Sequence, residues 1–145
     1  VIRKKGGLIS MSAVKLFRLN HLKASIEERM TITAAFMQKQ GINFVVIPVK
    51  YRAMDTPEKA KRTIEGFRSA IANFSELPLI LATQNSHGDS VYWGEPRVVR
   101  MLRNMSVSEF SWKEYKLEVD KIIFFTFNHS NSQIFISIYI TPKGA

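Results

Sequence analysis

The pattern of apolar positions predicts two buried strands near the middle of the chain. Residues 42–49 (INFVVIPV) are apolar at almost every position and rich in β-branched side chains, which is typical of a strand that is covered on both faces. Residues 77–84 (LPLILATQ) have the same character. Pro48 has no N–H to donate, so we expect the end of the first strand to leave the hydrogen-bonded ladder.

Two segments carry apolar residues at the spacing of an α-helix. In residues 55–74 the apolar positions are separated by four, three, four and three residues and therefore share one helical face. These positions are Ala60, Ile64, Phe67, Ile71 and Phe74. Thr56 suits the N-cap and Pro57 the first helical position. Residues 95–105, with Pro96 near their start, predict a second helix of the same kind.

A third helix is predicted over residues 25–41, because Ser25 and Glu28 have the spacing of a capping box and Gly41 suits a C-terminal stop. The preceding residues 12–19 (SAVKLFRL) are short and mixed in character, and we expect them to form a strand.

The remaining segments predict β-structure. Residues 90–93 suit a short strand, and residues 113–119 alternate between apolar and polar positions. Residues 121–128 and 133–141 flank the turn-rich sequence HSNS, which predicts a hairpin. A tight turn expected at residues 119–122 completes a three-stranded C-terminal meander.

The predicted order is roughly β-α-β-α-β-β-α-β-β-β. It indicates an α/β or α+β fold with a mixed sheet, about three helices packed on it and a C-terminal antiparallel meander. Residues 11–145 are expected to form a single globular domain. Residues 1–10 are expected to be a disordered tail or a cloning remnant, since Met11 suits a natural start.

Composition removes several kinds of chemistry. The 145 residues include no cysteine, so disulfides, thiolate metal sites and cysteine nucleophiles are excluded. Three histidines without metal-ligand spacing predict neither a metal site nor a cofactor. No apolar run approaches the length of a membrane span, and no signal peptide is apparent, so we expect a cytoplasmic protein that does not bind membranes.

Charge is distributed unevenly along the chain. The formal net charge is +9, and residues 1–75 carry 14 Lys and Arg against 5 Asp and Glu, whereas residues 76–145 carry 7 of each. If the helices at 55–74 and 95–105 share a sheet face, their cations form a positive surface that could neutralise phosphates. The candidate polyanion-binding residues are Lys50, Arg52, Lys59, Lys61, Arg62, Arg68, Arg97, Arg100 and Arg103.

The leading hypothesis is therefore a small, basic, non-enzymatic binding or interaction module that contacts nucleic acid or another polyanion. In the alternative interpretation these cations are ordinary solubilising residues, several of them paired with glutamates of the same helices. Those glutamates are Glu58, Glu65 and Glu95.

Residues 85–96 (NSHGDSVYWGEP) admit a structural and a catalytic interpretation. Asn, Ser, Gly and Asp are the residues that a hairpin turn prefers, and a turn that leads into the helix explains them all. In the catalytic alternative His87 acts as a general acid or base and Asp89 orients it, while Glu95 and Arg97 polarise a substrate.

A second enzymatic hypothesis uses Glu114 and Lys116, which lie on the same face of one predicted strand. Metal-dependent nucleases of the restriction-endonuclease type place an acid and a lysine in this way, with another acid nearby. Asp89 or Glu95 would supply that acid, and two carboxylates would hold Mg²⁺. The alternative is that Glu114, Lys116 and Glu118 form the solvated face of a strand.

The C-terminal strands are apolar on both faces, which predicts a homodimer through this sheet or its edge. Intrachain helices that cover both faces, and a small-molecule pocket between the meander and the helices, are the alternatives. The apolar positions concerned are Phe124, Phe125, Phe127, Ile134, Phe135, Ile136, Ile138, Tyr139 and Ile140.

Overall fold

The computed structural model describes residues 13–126 and 132–144. In these ranges the chain forms three α-helices and six strands. They are α1 (Ala13–Arg29), β1 (Thr31–Lys39), β2 (Ile42–Pro48), α2 (Pro57–Ala70), β3 (Leu79–Gln84), β4 (Ser90–Trp93), α3 (Pro96–Arg103), β5 (Trp112–Thr126) and β6 (Ser132–Pro142). Single 3₁₀ turns occur at Tyr51–Ala53, Ala72–Phe74 and Val107–Glu109.

The six strands form one mixed sheet in the order β4-β3-β2-β1-β5-β6. Strands β2 and β3 run parallel and are connected by α2, and the other neighbours pair antiparallel. The predicted class, a mixed sheet with three helices and antiparallel C-terminal strands, is confirmed. No helix in the described part of the chain is long and apolar enough to cross a membrane.

The sheet has two faces, each with its own apolar cluster. The face named here the α2 face carries Val45, Ile47 and Leu81, against which α2 packs through Ala60. The opposite face, named here the α3 face, lies under α3. Its buried members are Ala35, Phe44, Val46, Ile80, Ala82, Val98, Val99, Leu102 and Phe110. Because alternate residues of β2 and β3 are buried on opposite faces, the two apolar runs are explained as doubly covered strands.

The predictions for the first 41 residues were wrong in two places. Residues 12–19 were expected to form a strand, but α1 is one continuous helix from Ala13 to Arg29, and Ser25 lies within it. The predicted helix over 25–41 ends at Arg29, and β1 follows it. The reason is tertiary: β1 pairs with β2 on one edge and β5 on the other, and those two ladders outweigh the helical propensity of its Ala, Met and Gln residues.

Gly41 has a different role from the predicted helix stop. Gln40 has a φ of 50° and Gly41 a φ of 75°, and the two connect Lys39 directly to Ile42 in the β1–β2 ladder. Two consecutive residues with positive φ are the mark of a two-residue hairpin turn.

The predicted meander also needs correction. Residues 113–128 were expected to form two strands with a tight turn at 119–122, but β5 continues through this point. The register shifts between Val119, which opposes Ile138, and Lys121, which opposes Ser137, so Asp120 is the extra residue of a β-bulge. The C-terminal antiparallel pair is therefore β5 and β6, and β1 pairs with the other edge of β5. Residues 127–131, which hold most of the predicted HSNS turn, lie outside the described residues, as do residues 1–10.

The sheet curls so that β6 meets the segment after α2. Ile71 forms a parallel bridge to Ile138, and the carboxamide of Asn73 bonds the main chain of Ile140. Phe74, fully buried, completes this contact by packing its ring against Phe36. Part of the outer edge of β6 is thus covered by the chain itself.

Candidate functional site

Residues 85–89 form the hairpin turn between β3 and β4, and Asn85 builds it. Its side-chain Oδ1 accepts hydrogen bonds from the backbone N–H of His87 (2.9 Å) and of Asp89 (3.0 Å). The N–H of Asn85 donates to the Asp89 carbonyl (2.9 Å), and Gly88, with a φ of 81°, donates to the Asn85 carbonyl (3.0 Å). The side chains of His87 and Asp89 are exposed and are not hydrogen-bonded to each other within the described structure. The geometry is that of a turn and includes no catalytic His–Asp pair.

Glu95 is the N-cap of α3. Its Oε2 accepts a hydrogen bond from the Val98 N–H (3.0 Å), which satisfies one of the free amides at the start of the helix. Pro96 takes the first helical position, as predicted. The Glu95 carboxylate therefore already has a structural partner.

The residues of the nuclease hypothesis do not meet. Asp89 precedes β4 and Glu95 follows it, whereas Glu114 and Lys116 lie on β5, four strand positions away in the sheet. At roughly 4.8 Å between neighbouring strands this separation is about 19 Å. Throughout residues 13–126 and 132–144, no group of three His, Cys, Asp or Glu side chains is placed to hold a metal ion.

Glu114 and Lys116 have local partners instead. Glu114 pairs with Lys143 at 3.3 Å, and Lys116 pairs with Glu118 at 3.4 Å. They belong to the polar part of the α3 face that α3 leaves open. Glu118 also accepts a hydrogen bond from the Tyr139 hydroxyl at 2.8 Å. This hydrogen bond lowers the pKa of Glu118, as does Lys116, and it raises the pKa of Tyr139.

The candidate polyanion-binding residues fall into two groups on opposite faces of the sheet. α2 packs on one face and α3 on the other, so the shared positive surface that the sequence suggested does not form. The group on the α2 side comprises Lys50, Arg52, Lys59, Lys61, Arg62 and Arg68. The group on the α3 side comprises Arg97, Arg100 and Arg103.

The α2 group is partly neutralised. Lys59 pairs with Asp55 at 3.0 Å, and Arg68 donates to the Leu77 carbonyl at 3.1 Å. Arg52, Lys59 and Arg62 line a hollow of about 360 Å³.

The α3 group contributes to a groove between α3 and the β1–β2 turn. We call this hollow of about 450 Å³ the cationic groove, and its lining residues are Lys39, Gln40, Ile42, Arg97, Arg100, Met101, Asn104, Met105 and Glu109. Arg97 and Arg100 are one helical turn apart on α3. Arg103 is exposed on the same helix but does not line the groove. The sequence pattern did not indicate Lys39 as a site residue, because residues 25–41 were predicted to form a helix. The dipeptide Gln40-Gly41, read as a hairpin turn, would have predicted Lys39 at the end of a strand.

The cations of the groove are unpaired. In the described part of the chain, no ion pair or hydrogen bond joins the side chain of Lys39, Arg97 or Arg100 to a carboxylate. Glu109, the only acid among the described lining residues, accepts a hydrogen bond from the Ser106 N–H at 2.7 Å as part of a capping box. Three positive side chains therefore share this groove with the apolar residues Ile42, Met101 and Met105.

A second hollow lies on the same face of the sheet. It has a volume of about 380 Å³, and we call it the aromatic pocket. It is lined by Pro48, Val49, Ala82, Thr83, Gln84, Ser90, Tyr92, Val107, Phe110 and Trp112. The Phe110 ring lies 6.1 Å from that of Tyr92 and 5.4 Å from that of Trp112, centroid to centroid.

The predicted homodimer surface is described only in part. Ile138 is half-buried and Ile140 is buried against the core, whereas Tyr139 on the other face is exposed and bonded to Glu118. The side chains of residues 123–135 lie outside the described structure. The homodimer stays a prediction.

Comparison of the chain with protein families, curated proteins and solved structures finds no significant match. The fold and the groove define an α+β protein in which Arg97 and Arg100 on one side of α3 lie beside Lys39 of β1, without a carboxylate partner among the described residues.

Proposed function

We propose that this protein is a non-enzymatic binding protein that holds phosphate groups of a nucleic acid in the cationic groove. The observation that carries the proposal is the arrangement of Lys39, Arg97 and Arg100 around one groove without a carboxylate partner. Unpaired cations at a surface release the counterions of a polyphosphate when they bind it, which drives association. The cytoplasmic location predicted from the sequence agrees with such a ligand.

Two properties of the groove suit the phosphates of a nucleic acid strand. Arg97 and Arg100 present planar guanidinium groups, which bind phosphate in bidentate fashion. Their position one helical turn apart suits successive phosphates of one strand. The groups that argue for an enzyme are dispersed: His87 and Asp89 are in a turn, Glu95 caps α3, and Glu114 is paired with Lys143.

The experiment is fluorescence anisotropy of a labelled oligonucleotide with the full chain at several salt concentrations. The test variant is Arg97→Gln/Arg100→Gln, and the matched control is Lys61→Gln/Arg62→Gln, which removes the same charge from the other face of the sheet. We expect the test variant to weaken binding and to lower the slope of log affinity against log salt by about 0.7 for each phosphate of a single strand that the variant no longer neutralises. Equal losses in both variants, or no binding at low salt, would overturn the proposal.

A gain-of-affinity variant tests the same groove independently. Glu109→Gln removes the only negative charge among the groove's described lining residues, and glutamine can still serve the capping box. We expect tighter binding at low salt and unchanged thermal stability. Glu65→Gln, an exposed acid on α2, is the control, and an equal gain there would indicate net charge rather than a site.

A further inference from the structure

The cationic groove and the aromatic pocket lie on the same α3 face, toward opposite ends of β2: Ile42 lines the groove and Pro48 lines the pocket, about 20 Å along the strand. Glu109 lines the groove and Phe110, the next residue, lines the pocket, so their Cα atoms are about 3.8 Å apart. Met101 and Met105 of the groove lining pack against the same apolar cluster as the rings of the pocket. A ligand that follows this face passes from cations to rings without crossing the sheet.

The aromatic pocket has the chemistry of a site for a flat, neutral ring. Tyr92 and Trp112 are half-buried and keep part of their rings at the surface, and no charged residue occurs among the described residues of the lining. Gln84 and Ser90, which pair across β3 and β4, place a carboxamide and a hydroxyl at one end, where the edge of a heteroaromatic ring would find donors and acceptors. Its volume of about 380 Å³ is in the range of small-ligand sites.

We infer that the aromatic pocket receives an unpaired base of a single-stranded nucleic acid whose phosphates lie in the cationic groove. The inference rests on the proposed function and names its substrate class. A positive groove beside exposed aromatic rings is the combination that single strands use, because every base has a π-face to stack. In a duplex the bases are paired and stacked on each other, so no base is free to enter the pocket.

The two tryptophans of the chain provide a matched pair of reporters. Trp112 lines the pocket on the α3 face, whereas Trp93 packs against Leu81 and Met54 on the α2 face. Trp93→Phe leaves Trp112 as the single tryptophan, and Trp112→Phe leaves Trp93. The probes are oligothymidylate and inorganic polyphosphate of similar total charge, since polyphosphate has the phosphates without the bases.

We expect oligothymidylate to quench the fluorescence of Trp93→Phe and to leave that of Trp112→Phe nearly unchanged. Polyphosphate should bind, as seen in competition with labelled oligonucleotide, without quenching either variant. Tyr92→Leu, which keeps apolar volume but loses the ring, should weaken oligothymidylate binding about tenfold and leave polyphosphate binding unchanged. A duplex should bind more weakly than its single strands.

The outcomes separate the inference from the proposed function. If both probes bind and Trp112 is not quenched, or is quenched no more than Trp93, the inference is wrong and the cationic groove stands. If Tyr92→Leu lowers the affinity for both probes equally, the ring does not stack a base. If neither probe binds, both proposals fail together.

Discussion

The side chain of Asn73 pairs with the main chain of Ile140 as a neighbouring strand would. Its Oδ1 accepts the Ile140 N–H at 2.8 Å, and its Nδ2 donates to the Ile140 carbonyl at 3.3 Å. Together with the Ile71–Ile138 bridge, this pairing covers part of the outer edge of β6. An uncovered edge strand is a template for pairing with another chain, and Asn73 occupies the position on β6 where such a chain would pair.

Replacement of Asn73 should therefore affect stability and association together. Asn73→Ala removes two hydrogen bonds and leaves the Ile140 groups without partners, at an expected cost of about 1–3 kcal/mol in the free energy of unfolding. Urea denaturation measures this cost, and the mass distribution as a function of concentration measures association. Asn43→Ala, an exposed asparagine of β2, is the control. If the two variants are equally stable, the Asn73 side chain has no energetic role.

Gly94 marks the closest approach between the β4–α3 connection and β3. A Cβ added there would lie 2.5 Å from Cδ1 of Ile80 and 2.9 Å from the carbonyl oxygen of Leu79, both in the buried core. Gly94→Ala should destabilise the fold by about 1–3 kcal/mol, because neither neighbour can yield without disturbing core packing.

Gly66 provides the opposite case. It lies within α2, and a Cβ added there meets no atom within 4 Å. Gly66→Ala should raise the free energy of unfolding by about 0.5–1 kcal/mol, because alanine favours the helix and restricts the unfolded chain. Chemical denaturation of the two variants side by side checks the sign of each effect, and a destabilised Gly66→Ala would contradict this account.

The β3–β4 turn should depend on Asn85 and not on His87. Asn85→Ala removes the acceptor of two backbone N–H groups and should lower the free energy of unfolding by about 1–2 kcal/mol. His87→Ala changes an exposed side chain, so the free energy of unfolding should change by no more than about 0.5 kcal/mol. Thermal unfolding of the two variants distinguishes them. A His87→Ala variant as unstable as Asn85→Ala would show a role for the imidazole that the turn geometry does not explain.

The Tyr139–Glu118 hydrogen bond predicts a dependence of stability on pH at both ends of the scale. The Tyr139 hydroxyl holds the pKa of Glu118 below its usual range, so this contribution is present above the ordinary glutamate pKa and is lost as pH falls through the lowered value. The same bond raises the pKa of Tyr139, so that contribution is present below the ordinary tyrosine pKa and is lost as pH rises through the raised value.

Tyr139→Phe tests this assignment directly. We expect the pKa of Glu118, followed by NMR of its carboxyl carbon, to rise toward the ordinary glutamate value, and the stability difference from the parent to be largest near neutral pH. Thr141→Val removes the weakest of the contributions that lower the pKa of Glu118 and should move it less. If the pKa of Glu118 rises more in Thr141→Val than in Tyr139→Phe, Tyr139 is not the main cause of the lowered pKa.

Local sequence patterns predicted the elements whose partners are close in the chain. The apolar spacing from Ala60 to Phe67 predicted α2, and Thr56 does cap it by accepting the Lys59 N–H at 3.2 Å, but the helix ends at Ala70, before Ile71 and Phe74. The apolar runs predicted β2 and β3 as doubly covered strands, and the turn residues around Gly88 predicted the hairpin to β4. Each of these features depends on interactions within one element or between neighbours.

The predictions of secondary structure were wrong where pairing with a distant segment determines the local conformation. The Ala and Met residues of β1 suit a helix as well as a strand, and only pairing with β5, about eighty residues later, selects the strand. Asp120 looks like the start of a turn, yet the ladder with β6 continues past it because a bulge absorbs the extra residue.

The sequence by itself determined the mixed α+β character, the buried centre of the sheet and the excess of positive charge, because these follow from periodicity and composition. Only the tertiary structure decided where the charge lies. The α2 and α3 cations would form one surface only if both helices covered the same face, but the crossover between β2 and β3 places α2 on one face, and α3 packs on the other. The tertiary structure also places Lys39 of β1 beside Arg97 and Arg100 of α3. This proximity depends on which face of the sheet α3 covers, and no local sequence pattern specifies that face.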